Sequence, residues 1–247
     1  MEVSSFQLET TNLPPDAFEA AVVLNCQEDH LDRHGSVEMY HALKRRLLGM
    51  AKIAIDAPVV ESDCALLQGS YFDNPVLRSN GCCAIALMRV SGLSESEIRA
   101  AFTAFRPLAH RMAEVGVYRN VRCVDDSKAT SLCALGAAVK MTGGEILLIA
   151  GGRAKGDNPN SVKELLTERV KKVYLIGECA NAFFEAWSSG VDCEICETLD
   201  CAVKSAFRDA CGGETLLLSP GTASFDQFKN YSERGDLFAS LVKKEGQ

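Results

Sequence analysis

The 247-residue sequence lacks any apolar run approaching the length needed to cross a bilayer, any stretch patterned like a secretory leader, and any low-complexity tract or internal repeat. Positive charge is also in short supply: 26 Lys and Arg stand against 33 Asp and Glu, a net charge of −7. Nucleic-acid and membrane-surface binders rely on a basic face, so both classes are disfavoured and a cytoplasmic protein is expected. Anionic small molecules remain possible, because local cations and helix ends can bind them. Two glycine-rich motifs are missing as well. G-x-x-x-x-G-K-[ST] occurs nowhere, and Gly151-Gly152-Arg153-Ala154-Lys155-Gly156 is not G-x-G-x-x-G, which removes the dinucleotide fingerprint. Cysteine, by contrast, is plentiful at eleven residues, several of them in apolar runs. Without a leader these are expected to be reduced and buried. Cys193-Glu-Ile-Cys196 is a lone C-x-x-C with no second pair, which argues against zinc or redox chemistry there.

What is present divides near Arg106-Pro107. Downstream, apolar strand candidates (Val121–Val124, Glu145–Ala150, Val173–Ile176, Glu194–Cys196, Thr215–Leu218) alternate with helix candidates (Ser131–Met141, Ser161–Val170, Ala180–Ser188, Leu199–Cys211, Phe225–Lys244). Such alternation predicts βαβ units and a parallel sheet. Continuous runs such as Ile146-Leu-Leu-Ile-Ala150 predict a sheet covered on both faces, and right-handed crossovers then give an α/β, doubly wound, Rossmann-like domain. Upstream, a strand is expected at Val22–Asn25, a helix at Ser36–Met50, a strand at Ile53–Ile55 and helices at Asn80–Val90 and Glu95–Phe105. Ser94 and Glu97 stand at capping-box positions of the last.

The candidate chemistry sits at predicted strand ends. Leu218-Ser-Pro-Gly-Thr-Ala-Ser-Phe-Asp226 runs from a strand into what reads as a helix opening near Ser224 and Asp226, a place where free N–H groups and the helix dipole favour a carboxylate or phosphate. Asp125-Asp-Ser-Lys-Ala-Thr130 follows another strand and joins acid, hydroxyl and ammonium. Its blander reading is an Asp/Ser cap with a solvated lysine. His110-Arg111 and Lys155 supply further anion-binding types, against a base expectation of surface pairing and a solvated loop. Glu28, Asp29, His30, Asp32 and His34 lie within seven residues. Carboxylates with an imidazole suit Mg²⁺ or Mn²⁺, whereas His30-Leu-Asp-Arg-His34 lacks the glutamate of a zincin; the alternative is a solvated acidic loop.

Ser4-Ser-Phe-Gln-Leu-Glu-Thr10, Glu28-Asp-His-Leu-Asp-Arg33, Lys44, His110-Arg111, Asp125-Asp-Ser-Lys-Ala-Thr130, Gly151-Gly152 with Lys155, and Leu218-Ser-Pro-Gly-Thr-Ala-Ser-Phe-Asp-Gln-Phe-Lys-Asn230 together resemble the Mur ligases, in the family's order and over almost the whole chain. Within the family the resemblance is to the branch that adds D-glutamate. It implies an ATP- and Mg²⁺-dependent amide ligase of peptidoglycan precursor synthesis, joining D-glutamate to UDP-N-acetylmuramoyl-L-alanine through an acyl phosphate. By the same resemblance Glu2, His30 and Lys44 are metal ligands, Lys44 in carbamylated form, and Lys44, His30 and Lys128 serve catalysis. Asn80, Arg111 and Asp126 contact the nucleotide. Lys128, Thr130, Lys155, Ser224 and Tyr231 form the D-glutamate pocket, Tyr231 replacing a frequent Phe. Residues 1–106 are then expected to be a partial central ATPase domain and 107–247 a C-terminal D-glutamate-binding domain. The family's phosphate-binding loop is missing from this sequence, from which a truncated chain, inactive alone, is expected. Alternatives are a split or non-catalytic binding module, and an unrelated metal enzyme built on the Glu28–His34 cluster.

Overall fold

The computed structural model describes residues 1–24, 26, 31–56 and 61–247, the side chains of 31, 32, 61 and 62 excepted. The chain forms two compact units, Met1–Arg106 and Pro107–Gln247. Among the described residues no helix is long and apolar enough to cross a membrane.

The first unit opens with α1 (Ser5–Thr10), an element absent from the sequence reading. Ser4 and Gln7 close a reciprocal capping box around its start. The strand β1 (Phe18–Val23) pairs in parallel with β2 (Ala51–Asp56), Phe18 opposite Ala51 and Val23 opposite Asp56. Between them lie α2 (Leu31–His34) and α3 (Val37–Arg45), the latter capped by Ser36. The helix expected to reach Met50 stops at Arg45, because the chain tightens into a 3-10 turn at Leu48–Met50 before entering β2. A separate helical layer, α4 (Glu61–Leu67), α5 (Arg78–Val90) and α6 (Glu95–Ala104), buries Leu66, Leu67, Cys82, Ile85, Ile98 and Phe102 together. Ser94 and Glu97 form the expected capping box. A hollow of about 410 Å³ opens beside β1, lined by Phe18, Ala20, Val22, Leu47, Leu87 and Val90 among others, and none of the expected ligand-binding residues lines it.

The second unit is a three-layer α/β/α sandwich. Its strands are β3 (Ala113–Tyr118), β4 (Val121–Asp125), β5 (Ile146–Gly151), β6 (Val170–Ile176), β7 (Asp192–Glu197) and β8 (Thr215–Leu218), in the order β3-β4-β8-β5-β6-β7. All neighbours are parallel except β3, which pairs antiparallel with β4 at the edge. The sequence reading omitted β3. Its residues are half-exposed, it contains Gly116, and it returns through the left-handed Arg119-Asn120 turn instead of a helical crossover. The three central strands β8, β5 and β6 carry nearly unbroken apolar runs, as a sheet covered on both faces requires. One face packs against α7 (Leu132–Met141), α8 (Lys163–Arg169) and α9 (Ala180–Trp187), burying Leu135, Leu166, Phe183 and Trp187. The other packs against α10 (Leu199–Asp209) and α11 (Tyr231–Glu245), burying Val203, Phe207, Phe238 and Leu241.

The last helix starts later than expected. Asn230, not Ser224, caps it by accepting from the Glu233 N–H, and residues 224–230 form a turn in which the Ser224 carbonyl accepts from Gln227 and Phe228. A helix-dipole site at Ser224 is therefore ruled out.

β8 is the last strand of the chain yet inserts between β4 and β5. The helices after β4 and β5 lie on one face and the helix after β8 on the other, so the winding reverses there. Such a switch point opens a crevice at the carboxyl ends of the strands. It is closely packed: Gly151 has φ 120°, and a Cβ there would stand 2.1 Å from the Ile176 carbonyl oxygen. Gly151→Ala should destabilise this unit by about 3 kcal/mol or more, since both backbone and contact are violated. Gly156→Ala, left-handed but in open space, should cost only about 1–2 kcal/mol. Urea unfolding of the two variants beside the parent checks the contrast.

Candidate functional site

Three loops leave the carboxyl ends of β4, β8 and β5 and are laced together by backbone hydrogen bonds. Asp126 N–H donates to Leu218 O, Gly221 N–H to Ala129 O and Gly151 N–H to Pro220 O, while Arg153 and Ala223 exchange a pair of bonds. The β6 end joins through Cys179 N–H to Gly152 O and through the Asp226 carboxylate, which accepts from Glu178 N–H.

A fourth segment wraps under the first loop. His110 and Met112 both hold left-handed backbone, φ 61° and 46°, a strained conformation for residues with a Cβ. Their neighbours explain it. His110 Nδ1 lies 2.7 Å from the Asp125 carboxylate, the His110 carbonyl accepts from Lys128 N–H, and Met112 N–H donates to Asp126 Oδ1. The turn thereby presents Arg111 outward, with no ion-pair partner among the described residues.

Asp126 is a buried carboxyl. Its second oxygen accepts from the Ser219 hydroxyl at 3.0 Å. Burial pushes its pKa up to about 7, with help from neighbouring Asp125, against the opposing pull of the Ser219 and Met112 hydrogen bonds and Arg111. Lys128 is half-buried, its ammonium 5.4 Å from the Tyr231 ring centroid. Lys155 is exposed and reaches Thr130 Oγ1 at 3.3 Å. Its loop is pinned on either side, by the bidentate Arg153–Glu178 pair and by Asp157, which accepts from Leu132 N–H at the start of α7. Ser224 is buried on the adjoining loop, and its hydroxyl has no protein partner among the described residues. Phe225 beside it is 62% exposed. The laced loops and the adjoining start of α11 thus carry two ammonium groups, two hydroxyls and two aromatic rings, residue types suited to a small carboxylate-bearing ligand.

A Mur ligase middle domain matches residues 1–66. Over 98% of its length the chain is 33% identical to the UDP-N-acetylmuramoylalanine--D-glutamate ligase of Acidobacterium capsulatum, and 36% identical to the protein of the same name from Brucella abortus strain 2308. The chain belongs to the Mur ligase family. It spans about 62% of the length of these relatives. The fold agrees. A UDP-N-acetylmuramate-alanine ligase of Thermotoga maritima superposes with TM-score 0.64 over 97% of this chain and 62% of that one at 11% identity. A MurF ligase of the same organism, in complex with ADP, gives 0.64 over 94% and 62% at 17%.

The residues expected from the family resemblance fall into two groups. Lys128, Thr130, Lys155, Ser224 and Asp126 lie on the laced loops of the second unit, Arg111 on the turn beneath them and Tyr231 at the start of α11. The remainder belong to the first unit and are not drawn into a described cluster. Glu2 is exposed ahead of α1, and Asn80 is half-buried in the first turn of α5. Lys44, on α3, lies 5.7 Å from the Tyr40 ring centroid. His30, with Glu28 and Asp29, lies outside the described residues. His34 is engaged with Ser5 Oγ at 3.1 Å and Glu9 at 3.3 Å, and Arg33 pairs with Glu9, so that end of the acidic segment is structural. Among the described residues no group of three His, Cys, Asp or Glu side chains could hold a metal. The described donors therefore do not by themselves make a Mg²⁺ site. They do fit an anion, Arg111, Lys128 and Lys155 having no ion-pair partner among the described residues.

Sequence reading missed Ser127, Ser219 and Arg234, which hold the loops. A Cβ on the next residue, Gly235, would stand 2.2 Å from His110 Nδ1, so glycine is needed where the helix meets the turn.

The raised pKa of Asp126 has a thermodynamic consequence. A group bound more tightly to its proton in the folded state stabilises fully below the unfolded pKa, and that stability is lost as pH rises through the folded value. Between roughly pH 4 and 8 the loss should be about 4 kcal/mol for a shift from 3.8 to about 7. Asp126→Asn should remove this slope, so its stability relative to the parent should improve steadily from pH 5 to pH 8 in urea unfolding. Parallel curves would show that the buried carboxyl does not titrate there.

Proposed function

We propose that this chain serves the D-glutamate-adding step of peptidoglycan precursor synthesis, an ATP-dependent ligation of D-glutamate to UDP-N-acetylmuramoyl-L-alanine in the cytoplasm. The observation that carries it is identity of at least 33% over 98% of the chain to proteins bearing that activity's name, in a fold whose loops carrying Lys128, Thr130, Lys155 and Ser224 are bonded to one another.

D-Glutamate carries two carboxylates and one amine. Lys155 and Thr130, already joined, hold one carboxylate. The Ser224 hydroxyl, deep in the adjoining loop, holds the other. Lys128, braced on the Tyr231 ring, contributes positive charge between them. Fixing both carboxylates leaves the amine as the free end, aimed by the protein at an incoming activated carboxyl. This is catalysis by orientation, in which effective molarities can be very large. Arg111 and Asp126, on the adjoining turn, contact the nucleotide. ATP supplies the activation of the acceptor's carboxylate and Mg²⁺ offsets the phosphate charge. The residues proposed for the metal are Glu2, His30 and Lys44, the lysine as a carbamate.

One feature of the sequence favours a second reading. It contains no G-x-x-x-x-G-K-[ST], so these residues fit equally a module that binds D-glutamate without turning it over. Both readings require the pocket.

Titration of ¹⁵N-labelled protein with D-glutamate to millimolar concentration tests it. Saturable shifts are expected at residues 126–130, 153–156 and 222–231, and L-glutamate should produce much weaker ones. Lys155→Ala and Ser224→Ala should each weaken binding roughly tenfold or more, the cost of one charge-assisted hydrogen bond. Shifts that fail to saturate, or that appear elsewhere, would sink the reading. ADP release on adding UDP-N-acetylmuramoyl-L-alanine and Mg-ATP then separates ligase from binding module.

A further inference from the structure

Arg234 is 0% exposed, on the first turns of α11. A fully buried guanidinium is costly unless its donors are matched, and arginine is rarely placed so without a geometric task. Its partners are specific. Nε donates to the Ser127 hydroxyl at 3.0 Å, and Nη2 donates to the Ser127 carbonyl at 2.8 Å and the Thr222 carbonyl at 3.2 Å. The Ser127 hydroxyl in turn donates to the Tyr231 carbonyl at 2.7 Å. The remaining nitrogen, Nη1, is buried without a partner, as is Thr222 Oγ1. Both face Gly152, where a Cβ would lie 3.3 Å and 2.7 Å from them. One side chain therefore meets the loops after β4, β5 and β8 and the start of α11.

Ser127 immediately precedes Lys128, and Thr222 lies two residues before Ser224. We propose that Arg234 is a positioning residue for the amino-acid pocket: it fixes the separation of the Lys128 and Ser224 loops, and with it the spacing between the groups that hold the two carboxylates. This deepens the D-glutamate reading and depends on it for the ligand. The fork geometry matters, because three donations to two loops require a planar group with divergent N–H bonds. Lysine keeps the charge and cannot reproduce them. No charged partner touches the guanidinium; Asp125 and Asp226 act on it only at longer range. The interaction thus reads backbone position, which is what a spacer must do.

The test uses two variants and two readouts. Arg234→Lys removes the fork. Ser127→Ala removes only the hydroxyl that links Arg234 to Tyr231, and so remains informative should the first variant not fold. Amide hydrogen exchange is followed at Lys128, Gly221 and Ala223, whose N–H groups bond from one segment to another, and at Leu148 and Val173 in the sheet as controls. D-Glutamate affinity is followed by the titration above. Exchange at the loop amides at least tenfold faster in either variant, with control amides unchanged and D-glutamate bound at least tenfold more weakly, is the expected result. Loop exchange and affinity equal to the parent in a folded variant would overturn the proposal. A uniform rise in exchange at loops and controls alike would also overturn it, since that is loss of global stability. If the parent itself does not bind D-glutamate, the pocket reading fails, and the loop amides alone then decide whether Arg234 sets their position.

Discussion

The second unit depends on one non-local event, the insertion of Thr215–Leu218 between β4 and β5. These four residues are fully buried and pair with strands whose sequence lies about seventy to ninety positions earlier. Until β8 is in place, β4 and β5 have no common neighbour and the two faces of the sheet cannot close over their cores. Long-range parallel pairing of this kind must meet loop-closure entropy before packing repays it. The same insertion makes the crevice. Asp126 bonds to Leu218, Ser219 to Asp126 and Gly221 to Ala129 only because β8 ends beside β4. Fold completion and site assembly are one step.

Two buried ionisable groups belong to this arrangement, Asp126 and Arg234, and their pKa values respond to burial in opposite senses. Desolvation favours the neutral form of each: it raises the Asp126 carboxyl to about 7 and lowers the Arg234 guanidinium to about 10. Near neutral pH the arginine stays charged while the carboxyl sits near its midpoint. Apolar residues of similar volume would pack at lower cost, so these groups are poor candidates for simple stabilisers. What they provide is directional bonding to loop backbone, which a core of leucine cannot supply. The strained His110-Arg111-Met112 turn follows the same logic, being held by the Asp125 and Asp126 carboxylates and the Lys128 amide.

The legible parts of the sequence were those written in a repeating pattern. The central parallel strands announced themselves through apolar runs, because a sheet covered on both faces tolerates little else. The motifs of the second unit were expected at strand ends, and their loops do follow β4, β5 and β8 in the fold. β3 was hidden, since an exposed edge strand with a glycine carries no run. The boundary at Ser224 was misread for a different reason. Ser224 and Asp226 look like caps, but the Asp226 carboxylate is taken by the Glu178 amide, an interaction across 48 positions that no local rule contains. Asn230 then caps α11. Arg234 was invisible because nothing local separates a buried arginine from an exposed one on a helix.

The net charge of −7 is compatible with the dianionic ligand proposed, and the reason is length scale. At physiological ionic strength exposed charges are screened beyond roughly 8 Å, so the overall balance hardly reaches the crevice. Inside it the unpaired groups are Lys128 and Lys155, with Arg111 outward on the adjoining turn, whereas nearby carboxylates are already engaged. Asp125 is held by His110 and the Ser127 amide, Asp157 by the start of α7, Glu178 by Arg153, and Asp226 by the Glu178 amide. Committing these acids to scaffold bonds leaves Lys128 and Lys155 without an ion-pair partner among the described residues. Those commitments also order the loops, so much of the entropy of shaping the pocket is lost on folding and not on binding.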